Sequence, residues 1–188
     1  NKVESGTHLL LTNEGVTEQA LDKAFVTLSE AVSGRPQDVV ILFLAGHTDV
    51  IDSQFSLLLP RFPFPDVSPL QVAVRGRPEG EPAAEESPDR AGQSRFRPFV
   101  IPYSWIYRRL LRLEALQRLV IVDACQAEAI YEDPSIERIH QALNLDSHRA
   151  RVSYLLATRR GEAATESDVL EHGLLTYTLL RGLQAPGL

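Results

Sequence analysis

Cysteine occurs once in these 188 residues, at Cys125. A single thiol cannot form an internal disulfide, and no zinc site can be built from thiolates alone. Long hydrophobic runs are missing too. No stretch approaches the ~18 apolar residues of a membrane-spanning helix, and no segment has a signal-peptide pattern. Basic residues are in the minority: 19 Lys and Arg stand against 25 Asp and Glu, a formal net charge of −6. That argues against a general nucleic-acid binder, because neutralising phosphates takes clustered cations. These absences lead us to expect a soluble, cytoplasmic chain with neither membrane nor nucleic acid as partner. What is present, 44% hydrophobic against 23% charged residues, is enough to bury a core. The length fits one domain over residues 1–188, on a prior of roughly 100–200 residues per domain.

Hydrophobic patterning then divides the chain. THLLLTNEG is a short apolar run closed by a turn signal and reads as a strand or its end. In TEQALDKAFVTLSEAVSG the apolar residues Leu21, Ala24, Phe25, Leu28 and Val32 recur at helical spacing, with Thr17 as N-cap and Gly34 as stop. DVVILFLAGH is a continuous β-branched and apolar run, suited to a strand covered on both faces of a parallel sheet. YSWIYRRLLRLEALQ reads as an amphipathic helix with Arg on its wet face, and it leads into a second buried strand, RLVIVDAC. A helical stretch near Glu137–Leu143 precedes a third strand, RVSYLLAT, and HGLLTYTLLRGL reads as a closing helix packed back on the sheet. Strand–helix alternation of this kind predicts an α/β fold with a mostly parallel sheet. One segment breaks it. Arg75 to Pro98 is rich in Pro, Gly, Glu and Arg, has almost nothing to bury, and reads as a mobile insertion.

In open α/β sheets functional groups gather at the carboxyl ends of strands. Two of the expected strands end in reactive residues, one in His47 and one in Cys125. A thiol attacks carbonyls as its thiolate, which a nearby imidazole supplies near neutral pH, and the imidazole can hand the proton on to a leaving amine. The competing reading is a buried small hydrophobe at Cys125 and a turn residue at His47.

FLAGHT, VDACQA and HGLLTYTLL, in that order, resemble the caspase-like cysteine peptidases of clan CD, in particular bacterial members related to metacaspases and orthocaspases. The resemblance covers the chain from about Leu9 to Leu183, apart from the insertion. The caspase signature places its His roughly 50 residues before the Cys; the longer separation here is mostly the insertion. The resemblance implies a caspase-like sandwich, a mostly parallel sheet flanked by helices. It implies His47 as general base and acid, Cys125 as nucleophile, and an oxyanion hole from the backbone N–H groups of Thr48 and Cys125. It implies that Asp123, two before the Cys, lines the pocket for a basic P1 side chain, where animal caspases have Gln. Residue by residue, the alternative for Asp123 is a helix cap. The family fold also has a first strand and helix ahead of Leu9, so a further chain or domain is expected to complete it.

The sequence departs from the family at Thr48, where Gly is usual. A β-branched residue tolerates positive φ poorly, so strain is expected at the oxyanion hole. CQAE is a second departure, since the family often has Gly shortly after the Cys. Asp49 and Asp52 are candidate Ca2+ ligands of the kind some metacaspases use, but they read better as a solvated turn; no other cofactor and no metal site is expected. The basic face of YRRLLRLEALQR is explained by side-chain pairs and the helix dipole without a ligand. The leading expectation is an endopeptidase cutting protein or peptide substrates after Arg or Lys. The alternatives are a catalytically weak caspase-like scaffold and another thiol-dependent α/β enzyme such as an acyltransferase.

Overall fold

The elements follow, in chain order, from the apolar runs and the breaks between them. They are α1 (Glu18–Val32), β1 (Val39–Gly46), β2 (Thr48–Ile51), β3 (Gln54–Leu58), β4 (Val100–Pro102), α2 (Tyr103–Arg112), β5 (Gln117–Ala124), α3 (Pro134–Leu143), β6 (Ser153–Leu156), β7 (Glu166–Ser167), β8 (His172–Gly173) and α4 (Leu174–Leu183). The structure, a computed structural model, describes residues 6–63, 97–143, 151–159, 164, 166–167 and 172–184. Of the expected insertion at 75–98, residues 75–96 lie outside them.

The three apolar runs form one parallel sheet in the order β1-β5-β6, the α/β arrangement expected. A second sheet, β2-β3-β4, is antiparallel. It was not legible in the sequence. Its hairpin turns on Asp52 and Ser53, both at positive φ (53° and 60°), and such two-residue turns are normally announced by Asn-Gly or Asp-Gly.

α1 begins where Thr17 accepts a hydrogen bond from the Ala20 N–H at 3.1 Å, and it stops at Gly34, which takes a φ of 71°. A cap of this kind stabilises a helix by about 1 kcal/mol. α2 buries Tyr103, Ile106, Tyr107, Leu110 and Leu111 against the sheets. At and just past its C-terminal end Arg118 reaches from β5 to Leu110 O, which also accepts the Leu113 N–H at 3.2 Å, and to Leu113 O, at 2.9 Å each. Burial lowers the pKa of that guanidinium, with Tyr107 acting in the opposite sense. Trp105 joins α2 to α1: it meets Phe25 edge-on, donates to Glu18 at 3.0 Å, and carries Arg109 stacked on its ring.

Two expectations need correction. The run at Thr7–Gly15 forms no strand; Leu9 and Leu10 are exposed and Asn13–Gly15 make a 3₁₀ turn. A strand needs a ladder partner, and none lies beside this segment among the described residues. Nor is β1 covered on both faces. Val40 and Leu44 are buried, while Val39, Ile41 and Phe43 on the opposite face are exposed. A continuous apolar run records that both faces are greasy, but not whether both are covered.

Candidate active site

β1 and β5 run side by side in register, Gly46 opposite Ala124. His47 and Cys125 are the next residues on the two strands, so both stand at the carboxyl end of the sheet, on adjacent strands. At sheet spacing, neighbouring strands lie about 4.8 Å apart. His47 is exposed and Cys125 half-buried. The thiol accepts a hydrogen bond from the Ala164 N–H at 3.3 Å.

The two chain segments are tied together around these residues. The Thr48 hydroxyl donates to the Cys125 carbonyl, and Thr48 itself is buried. One residue further along each segment, Gln126 Nε2 donates to Asp49 Oδ1 at 3.2 Å. From the other side Thr158, just past β6, clamps the turn that carries Cys125. Its hydroxyl donates to Ala124 O at 2.9 Å and accepts from the Ala127 N–H at 3.0 Å. Two threonine hydroxyls thus hold the backbone on both sides of the thiol.

The strain expected at Thr48 is not there. Thr48 belongs to β2, outside the left-handed region; the positive φ values near the site belong to Gly46 (140°) and Gln126 (54°). Conformational cost therefore sits one residue after the Cys. A non-glycine residue in the left-handed region costs on the order of 1–3 kcal/mol and persists only where its surroundings hold it there. Leu58 N–H donates to the His47 carbonyl at 2.9 Å, so Thr48 and Leu57 form a non-hydrogen-bonded pair, and the Thr48 N–H points away from β3.

Asp123 is buried, 7% exposed. Its Oδ2 accepts both the backbone N–H (3.0 Å) and the hydroxyl of Thr176, in the first turn of α4. It caps a helix, though not the one immediately after it. Gly173 makes room for this contact, since a Cβ there would lie 2.6 Å from Asp123 Oδ1.

Asp49 accepts from the Val50 N–H at 2.7 Å as well as from Gln126, and Asp52 lies in the β2–β3 turn. Among the described residues no three His, Cys, Asp or Glu side chains gather as a metal site. A cavity of about 570 Å³ opens beside the strand ends, lined by Gly46, His47, Thr48, Leu57, Leu59 and Ala124 among others. Its walls are mainly apolar, and its volume lies in the range of small-ligand sites.

Sequence reasoning missed Thr158, Gln126, Gly173 and Thr176. Only Thr158 carried a usable signal, because it closes a run already read as a strand ending at the same edge of the sheet. Among the described residues no helix is long and apolar enough to cross a membrane. Compared with protein-family models, curated proteins and solved structures, the chain matches none.

Proposed function

We propose that the chain is a cysteine endopeptidase of caspase-like architecture, hydrolysing protein or peptide bonds after Arg or Lys. The observation that carries this reading is the register of β1 against β5, which sets His47 and Cys125 at adjacent strand ends. In the reaction His47 takes the thiol proton and Cys125 Sγ attacks the scissile carbonyl. The oxyanion is received by the N–H groups of Thr48 and Cys125. A donor of that kind is typically worth about 2.7–4 kcal/mol of barrier. His47 then protonates the leaving amine, and water attacks the thioester to release the acid and restore the thiol. With Oδ2 of Asp123 anchored by Thr176, Oδ1 is the atom left to meet a cationic P1 side chain. The reading assigns no cofactor.

A caspase-like scaffold with little catalysis is the second reading. It is favoured by the burial of Asp123, which limits access to its carboxylate, and by the Ala164 N–H on Cys125 Sγ, the atom that must attack. A peptide electrophile with P1 Arg separates the two. The endopeptidase should be labelled at Cys125, and Cys125→Ala and His47→Ala should abolish turnover of the matching fluorogenic substrate while keeping the wild-type circular dichroism. Alkylation of Cys125 by iodoacetamide without labelling by the peptide probe, and without turnover, would establish the scaffold.

A further inference from the structure

The basic face of α2 divides into two parts. Arg109 is spent on structure: it pairs with Asp22, with Nε 2.8 Å from the carboxylate, and stacks on Trp105. Arg108 and Arg112 are not. They stand one turn apart on α2, exposed, and among the described residues neither meets a carboxylate. Instead they line a second cavity, of about 460 Å³, away from the strand ends, together with Arg138 of α3.

The floor of this cavity is polar. Ser104 and Ser135 are buried there, each 6% exposed. Gln54 Nε2 and Arg138 Nη2 both donate to Ser135 Oγ, at 2.6 and 3.3 Å. Ser135 Oγ therefore accepts twice, and its own proton is available to donate. Among the described residues of the lining, Ile139 and Ala142 are the only apolar ones and none is acidic. The carboxylates nearest along the chain are engaged elsewhere: Asp133 is buried and accepts the Ser135 N–H at 2.8 Å, Glu137 accepts from Gln141 at 3.1 Å, and Glu114 accepts the Gly34 N–H at 2.5 Å.

Arg138 Nε also donates to Pro134 O at 3.3 Å, which holds this guanidinium on α3. Three guanidinium groups lining one recess with no carboxylate among its described residues repel each other and raise the local affinity for anions. Guanidinium forks match phosphate oxygens bidentately, and hydrogen bonds between ionised partners are the strong ones. Few apolar walls leave little for a peptide side chain to bury against, and the net charge of −6 disfavours a polyanionic strand.

We propose that this recess between α2 and α3, built from Arg108, Arg112, Arg138, Ser104, Ser135 and Gln54, binds a small anion carrying a diphosphate group. The group spans two or three of the guanidinium forks, and its oxygens accept from the serine and glutamine donors of the floor. The site is independent of the His47–Cys125 pair.

The test is calorimetric titration of the whole chain with inorganic pyrophosphate at low salt. Pyrophosphate should bind at a single site, and Arg108→Gln/Arg112→Gln should weaken it at least about tenfold, the loss expected for charge-assisted hydrogen bonds. Arg181→Gln, on the exposed face of α4, should bind as the wild type does. Both Arg108 and Arg112 are exposed, so the double variant keeps its fold, which circular dichroism verifies. A nucleoside diphosphate that displaces pyrophosphate at equal or lower concentration assigns the source to a nucleotide, and weaker displacement assigns it to free polyphosphate. Absence of pyrophosphate binding, or equal binding by the double variant, overturns the proposal.

Discussion

The backbone N–H and the hydroxyl of Thr176 converge on one carboxylate oxygen of Asp123, across 53 residues of chain. This contact joins the end of β5 to the start of α4 two positions before the candidate nucleophile. Gly173 is the residue that lets the two approach. Gly173→Ala must push the Asp123 carboxylate or the helix aside, and should destabilise the protein by about 1–3 kcal/mol, the usual cost of overpacking. Gly182→Ala, on the same helix with nothing within 4 Å of its new methyl group, should instead stabilise by about 0.4–1 kcal/mol. Urea denaturation of the two variants reads the difference, and equal effects would remove the close approach as the cause.

Asp123→Asn tests whether the capping carboxylate also reads P1. Its loss should reduce kcat/KM for P1 Arg by about tenfold to a hundredfold, corresponding to one charge-assisted contact of roughly 1.5–3 kcal/mol. Turnover of a neutral P1 residue should change little. Arg should be preferred over Lys, because only the planar guanidinium pairs bidentately. A wild-type preference for P1 Asp in a P1 library would refute the assignment.

Thr48→Val keeps the shape of the side chain and removes the hydroxyl on the Cys125 carbonyl; Thr158→Val removes the clamp on Ala124 and Ala127. Each should cost about 1–2 kcal/mol of stability, because each leaves a partly buried carbonyl short of a donor. If the clamps position the nucleophile, kcat should fall with KM little changed, and Ser at either position should restore it. Loss of stability with unaltered kcat would make them structural only. Gln126→Gly should relieve the left-handed backbone and leave activity intact, since its bond to Asp49 is exposed.

Two buried tyrosines, Tyr103 and Tyr107, and the half-buried Tyr154 predict an alkaline transition. Burial raises the pKa of Tyr107 to about 12, partly offset by Arg118. The hydroxyls of Tyr103 and Tyr154, hydrogen-bonded to each other at 3.1 Å, are raised further, again chiefly by burial. A tyrosine that stays protonated when folded and ionises near 10 when unfolded contributes stability that is complete below pH 10. That stability is lost as the pH rises toward the folded value. The unfolded chain then holds fewer protons than the native one, so stability should fall by about 1.4 kcal/mol per pH unit for each such tyrosine. Urea midpoints at pH 9 and pH 11 measure it, and Tyr154→Phe should lower the slope. A flat profile across this range would contradict the burial.

Some of this was decided along the chain itself. The apolar runs at Val39–Gly46 and Gln117–Ala124, the Thr17 cap, the Gly34 stop and the amphipathic period of α2 are local in origin. Each depends on a residue and its neighbours within a turn or two, so the α/β class could be read directly. The arrival of His47 and Cys125 at two strand ends could be read as well, because apolar runs stop where polarity changes. Register could not. That Gly46 faces Ala124 depends on how two strands 78 positions apart slide past each other while burying Leu44, Val120 and Val122. The clamps from Thr48 and Thr158, the cap that Asp123 gives α4, and the cluster of Arg108, Arg112 and Arg138 all depend on contacts between distant segments. Their energies belong to the folded arrangement and have no counterpart in local propensity. For the same reason the greasy face of β1 could be read as apolar, while its exposure was decided only by which elements came to lie against it.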